Sequence, residues 1–202
     1  LIGQKMSEDL GQQVVVDNRP GANTILGART VKEAKPDGYT LLMGIDGTLV
    51  MNPYLYDKLP YDPFKDFVPV AHLSNFQIGL AVQTQVPVKT LAEYVAWVKA
   101  DAAKNGFYAS AASGSIPHFF GVMFGRAAGV ELTHVPYKGT APAMQALAAG
   151  EVSAVSTVVA DIKPLVAAGK ARLLAVGGEQ RDPGFPDVPT FRELGYADLV
   201  AQ

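Results

Sequence analysis

The sequence predicts an α/β fold, and three observations carry that prediction. Short β-prone runs alternate with helical stretches along most of the chain, two of the strands end in small polar turns that open helices, and 49% of the 202 residues are hydrophobic, enough to fill a core. Leu1 to Leu10 reads as a helix already under way, with Ile2, Met6 and Leu10 on one face and Gly11 as its stop. A leader and a first strand are therefore expected to precede it. The run Val14 to Asp17 reads as a strand, the turn Asn18-Arg19-Pro20-Gly21 follows, and a helix is expected from about Ala22 to Lys35. Pro36-Asp37-Gly38 is a turn signal, and Tyr39 to Ile45 suits the middle of a parallel sheet, ending at the polar Asp46-Gly47-Thr48.

Val68 to Leu73 and Gln77 to Val82 are two strand-like runs with little between them, a rhythm that fits a crossing between two domains. Thr90 and Glu93 form a capping-box pattern, so a helix starts there with Leu91, Tyr94, Val95, Val98 and Ala102 as its buried stripe and Trp97 at the stripe's edge. Strands follow at Phe107 to Ala111, Val130 to Val135, Glu151 to Val158 and Arg172 to Val176, with helices after Pro117, over Ala141 to Ala149 and near Asp161 to Ala168. Thr190 and Glu193 repeat the capping-box spacing. With 172–176 as the return crossing, the expected division is 1–74 with 177–202 as one domain and 75–176 as the other.

Function is to be sought in the turns between these elements. The net charge of −2 comes from 17 basic and 19 acidic residues without a run of either sign, so neither nucleic acid nor an anionic membrane surface is an expected partner. The chain has no cysteine, and His72, His118 and His134 lack metal-ligand spacing, so no metal site is expected. Without a Gly-x-Gly-x-x-Gly or Gly-Lys-Ser loop, no cofactor is expected either.

What stands out is Ser113-Gly114-Ser115, after the strand ending in Ser110, and Tyr137-Lys138-Gly139-Thr140, with Ala141 next, after the strand ending at Val135. Each turn precedes a helix with proline in its first turn, at Pro117 and Pro142. Helix N-termini present unpaired N–H groups and a positive dipole end, which suits a carboxylate or phosphate. His118, at the first turn of its helix, could cap it or contact a ligand; Ser156 is a further strand-end candidate. Ordinary strand-to-helix connections use the same residues, and a serine hydrolase using Ser113 or Ser115 with His118 is an alternative, although Gly-x-Ser-x-Gly is absent.

Val15 to Ala22, Pro36 to Leu42, Leu59 to Asp62, Gly114-Ser115 with His118, His134 to Gly139 with Pro142-Ala143, Ala168 to Lys170, Leu174 to Val176 and Pro186 to Phe191 together resemble the tripartite tricarboxylate transporter receptors, the Bug or TctC family. The matches run in family order from residue 11 to the end. The resemblance implies a type II periplasmic-binding-protein-like fold of two α/β domains joined by crossing strands, with a ligand cleft between them and hinge closure. It implies a periplasmic, non-catalytic, monomeric receptor that binds a small carboxylate and delivers it to a membrane permease. Carried over residue by residue, it places ligand contacts at Ser113, Gly114, Ser115, Thr140 and Ala141, puts His118 on the motif's histidine, and sets Thr48 and Asn52 in a first-domain loop facing the ligand. Ala112 stands where the family usually has glycine. The transcription-regulator effector domain shares this fold, but no helix-turn-helix precedes it here.

Overall fold

A computed structural model describes residues 1–19 and 21–201. Pro20, in the expected turn at 18–21, and Gln202, at the end of the expected 177–202 segment, lie outside the described residues. The chain divides into two compact units, Leu1–Phe67 and Val68–Gln202.

In the first unit, α1 (Ile2–Leu10) ends at Gly11, whose φ of 63° is the left-handed conformation that favours glycine. The expected long helix is shorter: a 3-10 turn at Ala22–Thr24 precedes α2 (Ile25–Lys32). The reason is backbone conformation, because Ala22, Asn23 and Thr24 all have positive φ and a right-handed helix cannot pass through them. A π-helical turn, Gly47–Met51, runs into α3 (Asn52–Leu55). Ile25, Ala28 and Tyr61 form a small core against Leu42, Leu59 and Phe67.

The strands expected at 14–17, 39–45 and 68–73 are not formed. β propensity expresses how well a side chain fits a half-buried pleated surface. Here Val15, Tyr39, Met43, Val68 and Val70 are exposed and their segments join no ladder among the described residues, so the pattern has no surface to fit.

The second unit is a five-stranded mixed sheet with helices on both faces. Its strands are β1 (Ile78–Gln83), β2 (Phe107–Ser110), β3 (Thr133–Pro136), β4 (Ala154–Val158) and β5 (Ala171–Val176), in the order β3-β2-β4-β1-β5. β2 is parallel to β3 and β4, whereas β1 runs antiparallel to β4 and β5. β1 is buried at every position, as its continuous apolar run requires.

The helices are α4 (Leu91–Ala100), α5 (Ala102–Asn105), α6 (Ile116–Ala128), α7 (Thr140–Ala149) and α8 (Val159–Ala167). α4 carries the expected capping box, with Glu93 N–H donating to Thr90 Oγ1 at 3.2 Å and Thr90 N–H to Glu93 Oε2 at 3.3 Å. The helix breaks at Asp101, where φ is −161°, instead of continuing through Ala102. Thr90→Ala is expected to lower unfolding stability by about 1 kcal/mol in denaturant titration, the usual cost of an N-cap.

Two apolar layers enclose the sheet: one holds Tyr94, Tyr108, Phe120, Phe124 and Phe191, the other Ala143, Leu147, Val155, Ile162 and Leu173. The 177–201 segment, grouped from the sequence with the first domain, packs instead in the second unit. Val176 N–H donates to Pro189 O, Phe191 N–H donates back to Val176 O, and the Phe191 ring lies edge-on to Phe120 and Phe124.

Candidate functional site

The two turns singled out in the sequence are brought together by the parallel pairing of β2 and β3. Beyond the ladder, Tyr137 N–H donates to Ser110 O at 3.0 Å and Gly139 N–H to Ala111 O at 2.8 Å. The β2–α6 and β3–α7 turns therefore hold each other, and the N-termini of α6 and α7 open beside them. Pro117 and Pro142 have no N–H to offer, which leaves the first-turn N–H groups of Ile116, Thr140 and Ala141 without intrahelical acceptors. Gly114 and Gly139 have φ of 77° and 111°, conformations that β-carbon-bearing residues rarely adopt.

Inside the first turn, Ala112 O is the hub. It accepts the Ser115 hydroxyl at 2.7 Å and the Ser110 hydroxyl at 3.2 Å. Ser115 also caps α6, accepting the His118 N–H at 3.3 Å. Ser113 is exposed at the tip of the turn. The Ser115 hydroxyl has one proton, spent on Ala112 O, so toward the His118 N–H it acts as an acceptor.

Two histidines complete the cluster. His118 Nδ1 accepts the Gly114 N–H at 3.1 Å, and His134 Nε2 lies 2.7 Å from Ser110 Oγ. The His134 tautomer sets the direction of that bond. The rings stack with centroids 4.0 Å apart. Burial lowers the pKa of His118, and burial together with the neighbouring His118 pushes His134 down to about 4. Both rings are neutral at neutral pH. Tyr108 supports them: its hydroxyl donates to His118 O at 2.8 Å and its ring lies against His134.

Ser110 and Ser156 are fully buried, and Ser156 Oγ has no hydrogen-bond partner among the described residues. Among the described residues neither the Ser113 nor the Ser115 hydroxyl bonds to the His118 ring, whose Nδ1 is taken by Gly114. The nucleophile-base pair of the hydrolase alternative is not assembled.

In the first unit Thr48 and Asn52 meet in a second polar cluster. Asn52, fully buried, donates from Nδ2 to Asn23 O at 3.0 Å and to the Tyr61 hydroxyl at 3.1 Å, while Oδ1 accepts from Asn23 Nδ2 at 2.8 Å. Tyr61 donates to Thr48 O at 2.6 Å, and the Thr48 hydroxyl pairs with that of Thr24. Thr48 and Asn52 thus grip the left-handed Ala22–Thr24 turn.

Sequence reasoning missed His134, Tyr108, Asn23, Thr24 and Tyr61 as parts of these clusters. His134 could have been found, since parallel registry of the two strands sets His134 opposite Tyr108, next to Ser110. The others carry no local signal.

The family model described as tripartite tricarboxylate transporter family receptor, TctC, matches residues 1–202. The chain belongs to the TctC family. A UPF0065 protein from the gbd 5' region of Cupriavidus necator is 38% identical over 195 residues, 96% of this chain and 58% of the relative. Among solved structures, MatC from Rhodopseudomonas palustris with bound malate is 36% identical with a TM-score of 0.89, over 99% of this chain and 68% of that one. Another R. palustris protein, with adipate, is 34% identical with a TM-score of 0.94, over 99% and 67%. The chain thus spans less than three fifths of the curated relative and about two thirds of these structures.

Proposed function

We propose that this TctC-family chain is a periplasmic solute receptor that binds a small carboxylate, a di- or tricarboxylate, acidic amino acid or aromatic acid, and delivers it to a tripartite tricarboxylate transporter permease. One observation carries the reading: two helix N-termini open beside mutually bonded turns, with the first-turn N–H groups of Ile116, Thr140 and Ala141 left over and no acidic side chain bonded into the turns among the described residues. A carboxylate fits such a site because it only accepts hydrogen bonds. Two similar structures, one with bound malate and one with adipate, support the same ligand class.

In this reading Ser113, Gly139, Thr140 and Ala141 border the carboxylate, Ser110, Gly114, Ser115 and Ser156 shape the floor, and Thr48 and Asn52 act by shaping the 22–24 turn. The receptor acts as a monomer without cofactor.

The test is a thermal-shift screen against malate, adipate and a panel of citrate, glutamate and benzoate. One acid should raise the melting temperature with saturation, as binding linkage requires. Thr140→Pro keeps a residue suited to the first helical position and removes one donor, so affinity should fall by roughly tenfold or more, the value of one hydrogen bond to a charged group. No shift with any acid, or unchanged affinity in Thr140→Pro, counts against this site.

A further inference from the structure

We propose that His118 is a positioning residue for the 112–115 turn: its neutral imidazole accepts the Gly114 amide, stacks on His134, and so sets the shape in which the turn meets its ligand. The proposal rests on the anion-site reading only for its purpose; the arrangement stands on geometry alone.

The first part of the argument is hydrogen-bond direction. A backbone N–H can only donate, so the 3.1 Å contact from Gly114 makes His118 Nδ1 an acceptor and puts the ring proton on Nε2. A second proton on the ring would have to go to Nδ1, where it would face the Gly114 N–H. Protonation and this bond are therefore mutually exclusive. Gly114 has φ of 77°, a conformation glycine adopts without strain, and the bond to His118 Nδ1 fixes where its N–H points.

The second part is the setting of the ring. His118 belongs to α6 and His134 to β3, and their stack, with centroids 4.0 Å apart, ties the helix carrying one turn to the strand feeding the other. His134 is anchored in turn by Ser110, whose hydroxyl donates to the same Ala112 carbonyl that takes the Ser115 hydroxyl. A chain of contacts runs from Ser110 through His134 and His118 to Gly114, around a turn of six residues. The groups facing the pair are Tyr108 from β2, whose hydroxyl is spent on His118 O, and the Phe119 ring on α6. Lys138, in the β3–α7 turn, is exposed, and no carboxylate forms an ion pair with either ring among the described residues.

The direction of the pH effect follows. Both imidazoles titrate below the ordinary value of 6.5, so the folded turn binds fewer protons than the unfolded chain. The stability this arrangement supplies is complete above that value and is lost as the pH falls through the folded values. For His134 the folded value is about 4.

The experiment needs no ligand. The 15N-labelled protein is titrated by NMR from pH 8 downward, following both histidine rings and the Gly114 amide. His118 should be the Nε2–H tautomer at neutral pH, and the Gly114 amide resonance should move with the His118 ring titration. Gly114 amide exchange, compared at pH 7, should be at least about tenfold faster in His118→Leu and near the parent rate in His118→Asn, whose side-chain oxygen can replace Nδ1. An Nδ1–H tautomer, or a Gly114 amide indifferent to the His118 titration, would overturn the proposal. Because no carboxylate is present, that failure is distinguishable from failure of the receptor reading, which the thermal-shift screen decides by itself.

Discussion

Phe191→Ala is expected to destabilise the second unit by about 3 to 5 kcal/mol, the range for deleting a buried aromatic ring. The ring is fully buried, with edge-on contacts to Phe120 at 5.0 Å and Phe124 at 5.4 Å and a further contact to Tyr196 at 6.3 Å. Its backbone is equally committed, since the Phe191 N–H donates to Val176 O at the edge of β5. Three aromatic neighbours lose their partner at once and cannot all collapse into the space. Urea unfolding followed by far-ultraviolet circular dichroism measures the loss. A decrease below about 1 kcal/mol would mean that 177–201 does not pack on this sheet, and would restore its grouping with the first domain.

Gly121→Ala is the second large effect, and it reaches the candidate site. A β-carbon at Gly121 would lie 2.2 Å from Tyr108 Cε2 and 2.4 Å from Cζ. Tyr108 is fully buried and cannot swing away. Its hydroxyl holds His118 O and its ring abuts His134, so a displaced ring pulls on both histidines. Overpacking of this kind costs about 1 to 3 kcal/mol, and this contact, made to a rigid ring, belongs at the upper end. The expected result is a loss of about 3 kcal/mol in unfolding stability, with the His118 and His134 ring resonances shifted in the folded protein. Unchanged ring resonances would show that α6 can shift away from β2 without disturbing the pair.

Much of the second unit was legible in the sequence because its elements announce themselves locally. The Thr90 and Glu93 capping box and Pro117 in the first turn of α6 mark helix starts through chemistry within a few residues. The strands at 78–83, 107–110, 154–158 and 171–176 fell within a few residues of their expected positions because apolar runs bounded by turn residues have few other solutions. The first unit was legible only in part. Its β-prone runs at 14–17 and 39–45 have the composition of strands, yet a strand exists only by pairing, and none is paired among the described residues. The left-handed Ala22–Thr24 turn was unreadable for the complementary reason: only Asn23 tolerates positive φ readily, and Asn52 and Thr48, more than twenty residues away, hold the turn there.

The sequence by itself determined the α/β class, the family, the two polar turns and the residues that border them. These follow from local backbone chemistry and from motifs in a fixed order. Only the tertiary structure decided the antiparallel setting of β1, the packing of 177–201 on the second unit, and the pairing of His118 with His134. Each depends on contacts between residues that are distant in the chain, where the free energy is set by burial and by the direction of hydrogen bonds. His134 shows the difference: in the sequence it is one histidine in a strand, and in the fold it is stacked 4.0 Å from His118 and bonded to Ser110.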